Sequence, residues 1–138
     1  HFNTTFPEKN RMKHRVLLLG AGKIGRMIAR FLVDSGDYEV TVGDANAAAL
    51  QRIADRVKVT TLQIDASDSK QLTASMQNCD SVISALSFAF NPRVAQVALE
   101  TGTSYFDLTE DVSTTQAVRH IASQAAQRQI FMPQCGLA

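Results

Sequence analysis

Cysteine is scarce in this chain, with Cys79 and Cys135 alone among 138 residues. The two show no metal-ligand spacing and imply no disulfide framework, so both read as buried thiols in a reducing compartment. Long apolar runs are missing as well. No clean run exceeds four residues, and the most apolar of them, Val16-Leu17-Leu18-Leu19, is cut by Gly20. It falls far short of the roughly 18 residues of a membrane span and leaves no room for the apolar region of a signal peptide. Nor does one sign of charge prevail. Fourteen basic residues face 13 acidic ones; Lys9, Arg11, Lys13 and Arg15 are opposed only by Glu8, which leaves residues 16–138 with 10 basic and 12 acidic. That balance offers no footprint for nucleic acid or an anionic membrane. A soluble, cytoplasmic protein is expected.

What is present is ordinary globular material. Hydrophobic residues make up 45% and charged residues 20%, which fits neither disorder nor a fibrous repeat. The length suits one domain. Residues 1–14 carry no hydrophobic period and begin at His1, with Met12 just before the first patterned segment. They are expected to be a disordered tail or vector remnant ahead of a domain spanning 15–138.

From Arg15 onward, short apolar runs alternate with helical patterns. Val16–Leu19 reads as a strand buried on both faces. Ile24, Met27, Ile28, Phe31 and Leu32 follow at i, i+3, i+4, i+7 and i+8, one face of a helix that Gly36 stops. Glu39–Val42 is a second strand, Ala45–Ala54 a weaker helix and Val57–Ile64 a third strand. Asp68 and Gln71 form a capping-box pattern for a helix ending near Met76. Ser81–Leu86 is a fourth strand. Asn91-Pro92 reads as an N-cap with proline at the first helical position, and Gly102 ends that helix. Ser104–Leu108 is a fifth strand. Ser113 with Gln116 reads as a cap for a helix with Val118, Ile121, Ala122 and Ala125 inward, and Gln129–Met132 is a sixth strand. Strands alternating with helices in this way predict an α/β, doubly wound, six-stranded parallel sheet with helices on both faces, a Rossmann fold.

The most informative residues are Gly20-Ala21-Gly22-Lys23-Ile24-Gly25. This GxGxxG follows a strand and opens a helix. A carboxylate, Asp44, comes 19 residues after Gly25 at the end of the second strand, the arrangement of a dinucleotide-binding βαβ unit. Gly20 permits the tight turn, Gly22 lets the backbone approach a pyrophosphate, and Gly25 lets helix and strand pack closely. The helix start supplies unpaired N–H groups and the positive end of its dipole. Lys23 and Ile24 sit at that start, Lys23 reading as solvated more than as a phosphate ligand. Asp44, followed by Ala45 and Asn46, suits the adenosine ribose hydroxyls and would repel a 2′-phosphate. NAD is therefore favoured over NADP, with Arg52 further along the helix as the residue that keeps NADP open. Ligands of such folds lie at the carboxyl ends of the strands near the reversal of strand order. Asp65 and Ala66 should therefore flank the adenine, and Ala85, Leu86 and Ser87 should pass beside the pyrophosphate and nicotinamide ribose. Thr109, Glu110 and Asp111 follow the fifth strand and either face a substrate or cap a helix. The plain alternative, a glycine turn with Asp44 capping the next helix, accounts for fewer of these features.

No catalytic residue emerges. Tyr105 lacks a lysine four positions on, no serine sits in a Gly-x-Ser-x-Gly elbow, His1 and His14 fall in the tail, and His120 lies on a surface-directed helix. No metal site is expected.

Val16–Ala138 resembles the N-terminal nucleotide-binding domain of the saccharopine dehydrogenase/reductase-like proteins, which include lysine dehydrogenases. The resemblance rests on Asp80-Ser81-Val82-Ile83-Ser84-Ala85-Leu86, on Tyr105-Phe106-Asp107-Leu108-Thr109-Glu110-Asp111 and on Pro133-Gln134-Cys135-Gly136-Leu137-Ala138. The family's fourth strand often ends in Leu-Pro where this chain has Leu86-Ser87. The resemblance implies a nicotinamide-dependent oxidoreductase acting at a carbon–nitrogen bond of an amino acid or related amine, with an imine formed on oxidation. It also implies a second domain, beyond Ala138, that holds an amino-acid-like small molecule. This piece is then expected to bind cofactor without turning over, and the full-length protein to be a candidate homodimer. A second resemblance, to NAD(H)-sensing regulatory domains of potassium channels and transporters, stands as the alternative; the Tyr105–Asp111 and Pro133–Ala138 stretches fit the oxidoreductase better.

Overall fold

The computed structural model describes residues 13–125 and 129–134. Strands β1 (His14–Leu19), β2 (Tyr38–Asp44), β3 (Thr60–Gln63), β4 (Ser81–Ser84), β5 (Ser104–Asp107) and β6 (Phe131–Met132) form one sheet. Its order is β3-β2-β1-β4-β5-β6 and every neighbouring pair is parallel. Helices α1 (Lys23–Ser35), α2 (Ala47–Ala54), α3 (Ser69–Met76), α4 (Asn91–Thr101) and α5 (Val112–Ala122) make the crossovers. The order reverses between β1 and β4, the place where α/β sheets of this kind hold ligands.

The apolar run of β1 explains why helices are needed on both sides. Val16 and Leu18 pack with Ala29 and Leu32 of α1 and with Leu50 and Ile53 of α2. Leu17 and Leu19 pack on the other face with Leu72, Met76, Val94, Val97 and Val118 of α3, α4 and α5. Each such buried valine, leucine, isoleucine or methionine side chain stabilises the fold by about 1.5–3 kcal/mol.

The two faces are not covered alike. In-register pairing puts Ile83 of β4 and Phe106 of β5 on the same face as Leu18. There they are half-buried, and their neighbour Met132 of β6 is exposed. Among the described residues no helix covers that half of the face. A hollow of about 220 Å³ lies on it, lined by His14, Leu32, Tyr38, Ile83 and Phe106 among others.

The same asymmetry corrects the predicted inner stripe of α1. Gly25, Ala29 and Leu32 are buried, Ile28 is half-buried, and Ile24, Met27 and Phe31 are 48%, 65% and 75% exposed. The cause is the glycine loop. A Cβ on Gly25 would lie 1.9 Å from the Gly20 carbonyl oxygen, so the helix must turn its smallest residues toward β1 and the larger apolar ones outward.

Other boundaries moved for local reasons. His14 is in β1, its Nε2 2.8 Å from the Ser81 hydroxyl and its ring edge-on to Tyr38, so it does not belong to the tail. Val57 closes the turn after α2 by donating to the Ile53 carbonyl, so β3 is shorter than predicted; as an exposed edge strand it has no buried side to alternate with. β4 stops at Ser84, after which the chain enters a 3-10 turn at Phe88–Phe90. Asn91 therefore does not cap α4. It is the first helical residue, buried, and its side-chain oxygen accepts from Ser84 Oγ at 2.7 Å. α5 is capped by Asp111, which accepts from the Thr114 N–H at 2.9 Å, and not by Ser113. β5 ends at Asp107, and β6 is reduced to Phe131 and Met132, although the Ile130 carbonyl still accepts from Tyr105 N. Asp68 caps α3 as expected, accepting from Lys70 and Gln71 N–H. Residues 1–12, the closing Cys135–Ala138 stretch and thus the reading of Cys135 lie outside the described residues.

Candidate functional site

The glycine loop lies at the reversal of strand order. Gly20 adopts φ +109, left-handed backbone that a side chain would strain. A Cβ there would also stand 2.7 Å from the Ala85 carbonyl oxygen at the end of β4. Gly20 and Gly25 are thus required by the protein's own packing. Gly22 is different: it has an ordinary negative φ of −77 and a Cβ there meets nothing within 4 Å. Its lack of a side chain makes no sense inside the protein and makes sense if a ligand comes close. α2, α3 and α5 begin on side-chain caps from Asn46, Asp68 and Asp111. α1 begins at Gly22 with no side-chain cap and no acidic residue in its first turn, which leaves N–H groups and the positive dipole end for an anion. Lys23 and Ile24 are exposed at that start, as a solvated flank.

Asp44 does more than the sequence suggested. Its Oδ2 accepts from the Ala21 N–H at 2.7 Å and its Oδ1 from the Asn46 N–H at 2.8 Å. The carboxylate thereby fastens the loop after β1 to the loop after β2. Each oxygen has a further lone pair, so the group can still accept from ribose hydroxyls. Ala45, next to it, is exposed and passes its carbonyl to Gln63. These features fit a dinucleotide: an open backbone cradle, an uncapped helix start and a braced carboxylate.

Asp65 and Ala66 follow β3. Asp65 accepts from the Ser67 hydroxyl at 2.6 Å and the Ser67 N–H at 2.9 Å, which together hold its carboxyl below the usual range. It shapes a turn, while Ala66 has its side chain in the core. Ala85 and Leu86, with Ile24, Phe88 and Leu108, form the apolar wall of a cleft of about 260 Å³ beside the glycine loop. Ser84, Asn91 and Thr109 complete the lining. That is below the roughly 300 Å³ at which sites for whole drug-sized ligands begin, the size for one end of a dinucleotide. Ser87 is exposed and is not among the lining residues.

In the loop after β5, Thr109 reaches the cleft, Glu110 is exposed, and Asp111 is spent on capping α5. His120 is on the exposed side of α5. Cys79 is half-buried, and burial pushes its thiol up. The sequence reading missed Asn91, Ser84, Phe88 and Leu108. The one available signal was a polar side chain, Ser84, in the middle of an apolar strand.

Backbone cradle, braced carboxylate and cleft at the carboxyl end of one sheet define a dinucleotide-binding domain of the Rossmann class. The family model described as the saccharopine dehydrogenase NADP binding domain matches residues 16–132. The chain belongs to that family. Saccharopine dehydrogenase [NADP(+), L-glutamate-forming] of Saccharomyces cerevisiae is 30% identical over 92 residues, which cover 67% of this chain and 21% of that protein. The apo structure of the L-Glu-forming saccharopine dehydrogenase from the same yeast superposes with a TM-score of 0.79 at 26% identity, over 90% of this chain and 27% of that one. The scyllo-inositol dehydrogenase of Lactobacillus casei, solved with NAD(H) and scyllo-inositol, shares the fold alone: TM-score 0.70, 15% identity, 88% of this chain and 36% of that one. This chain thus spans about a fifth to a quarter of the saccharopine dehydrogenases it matches. The sensing-domain alternative is not favoured by these matches. Among the described residues no helix is long and apolar enough to cross a membrane.

Proposed function

We propose that the chain is the NAD(H)-binding domain of an oxidoreductase acting on a carbon–nitrogen bond of an amino acid or related amine. The observation that carries the reading is the junction of Gly20–Gly25 with Asp44, where Gly22 alone has a missing side chain that nothing in the protein demands. Gly22 and the first N–H groups of α1 would hold the pyrophosphate, Asp44 the adenosine ribose, and the turn at Asp65 and Ala66 the adenine side. Ala85, Leu86 and the start of the Ser87 turn would lie along the nicotinamide half. When bound, a nicotinamide dinucleotide supplies the hydride acceptor or donor. The chain's own contribution is to orient that group and, through Ile24, Leu86, Phe88 and Leu108, to keep water from it.

NAD is the favoured cofactor although the family's description names NADP. The Asp44 carboxylate would stand beside a 2′-phosphate as a like charge, and Ala45 and Asn46 offer no cation to offset it. In titrations of the 138-residue chain, NADH should bind at least about tenfold more tightly than NADPH. Asp44→Ala should narrow that gap by weakening NADH more than NADPH, since it removes the like charge along with the brace to Ala21 and Asn46. Equal or tighter NADPH binding by the unmutated chain overturns the preference.

The substrate site belongs to a second domain of the same polypeptide. Three observations support this. The eight described residues that line the cleft include none that titrates near neutral pH. The matched proteins are several times longer. Among the described residues, half of one face of a parallel sheet, the kind that is normally buried on both sides, has no helix over it, and Met27 and Phe31 of α1 are exposed. Labelling of Phe31→Cys in the native-length protein should be at least about tenfold slower than in the 138-residue chain. Equal rates, or robust turnover by the short chain alone, overturn this part of the proposal.

A further inference from the structure

At the carboxyl end of β5 lies a fully buried acid. Asp107 has no exposed surface, and among the described residues it forms no ion pair. Its charge is met by hydrogen-bond donors. Oδ2 accepts from the Tyr105 hydroxyl at 2.6 Å, while Oδ1 accepts from the Thr109 N–H at 3.0 Å and the Gln134 N–H at 2.9 Å. One carboxylate thus joins a strand, the loop that follows it and the loop that follows β6.

Gln134 is the one described non-glycine residue with positive φ, +61. For glutamine that conformation is unfavourable and persists only when its surroundings impose it; the bond to Asp107 is such a constraint. The Tyr105 hydroxyl is held well above its usual range, first by burial and then by the bond to Asp107, so it remains a proton donor to the carboxylate. The register partner of Asp107 is Ser84 of β4, whose hydroxyl donates to buried Asn91. Ser84 and Asn91 line the cleft themselves together with Leu108 and Thr109, and Asp107 meets that lining by holding the Thr109 N–H.

A buried, unpaired acid is a costly way to hold a fold, since apolar packing does that with no desolvation penalty. What a carboxylate does that a leucine cannot is take several backbone N–H groups from different loops in set directions. We propose that Asp107 is a positioning residue for the nicotinamide half of the dinucleotide, acting through the Leu108–Thr109 wall, with no part in holding the adenosine half. The assignment rests on the dinucleotide reading above. It follows from sheet order: Asp44 at the end of β2 and the cradle after β1 lie on one side of the reversal, and β4 to β6 on the other.

The test compares NADH with ADP-ribose, which lacks the nicotinamide, on the 138-residue chain. Asp107→Ala should weaken NADH by about tenfold while ADP-ribose stays within about twofold. Asp107→Asn should restore NADH binding, because the amide still accepts from Thr109 and Gln134 N–H and donates to a Tyr105 hydroxyl that turns round to accept. Should Asp107→Ala not fold, Tyr105→Phe carries the comparison; it removes one donor, and NADH should weaken by about threefold relative to ADP-ribose. An unmoved ratio, or equal weakening of both nucleotides, makes Asp107 a fold staple only and overturns the assignment. A wild-type chain that binds neither nucleotide overturns the dinucleotide reading and this assignment with it.

Discussion

The two halves of the sheet reach the same cleft by different chemistry. On the β1–β3 side the site is backbone: an open glycine cradle, an uncapped helix start, and one carboxylate that braces them. On the β4–β6 side it is built from buried side chains, Ser84 with Asn91 in the lining of the cleft and Tyr105 with Asp107, which takes N–H groups from two loops. The first half also covers its own face with α1 and α2, whereas no helix among the described residues lies on the same face over β4–β6. The contrast teaches that a motif marks the part of a site made by chain geometry. The part made by packing carries no short signature.

The sharpest way to break the comparison lies within the glycine loop. Gly25→Ala should cost several kcal/mol, because its Cβ would stand 1.9 Å from a backbone carbonyl that cannot move aside. A melting temperature lowered by at least about 10 °C is expected. Gly22→Ala should leave stability within about 0.5 kcal/mol, since nothing lies within 4 Å of its Cβ. It should still lower nucleotide affinity by at least about tenfold. Thermal melts and titrations of the two variants, run side by side, check both; a Gly22→Ala chain that binds normally would remove the argument for the cradle.

A second pair lies on α1. Leu32→Ala, at a buried position, should cost about 2–4 kcal/mol. Phe31→Ser, next to it and 75% exposed, should change stability by less than about 0.5 kcal/mol. Denaturant midpoints decide it. A large loss at Phe31 would mean that α1 presents its predicted stripe to the core after all.

The smallest effect concerns pH. Asp68 is held below the usual carboxyl value of 3.8 by Gln71 and Lys70, and Asp111 by Thr114 and Ser113. A depressed native value means that these caps stabilise above the unfolded value and that the stabilisation is lost as pH falls through the native one. Melting temperature should therefore be level down to about pH 4 and decline below it. Asp111→Asn should flatten the decline, an outcome that melts at pH 2–5 would show.

Much of the fold was legible because it follows from local rules. The run Val16–Leu19, the glycine stops at Gly36 and Gly102 and the cap at Asp68 each act within a few residues. The Gly20–Gly25 loop with Asp44 was legible for the same reason: its requirements are steric and short-range. The order of the strands, the side of α1 that faces the core and the true starts of α4 and α5 were not. Each depends on how the chain closes at a strand end, which no apolar period records: Gly25 against Gly20 across the turn, Asn91 against Ser84, Asp111 drawn into the cap by the path out of β5. By itself the sequence determined that this chain forms a parallel α/β sheet with a dinucleotide loop, because apolar period and glycine sterics are properties of segments. Only the tertiary structure decided what Asp44, Asn91 and Asp107 do. A polar side chain takes its role from whichever donor or acceptor the fold brings within 3 Å of it, and that is a property of the whole.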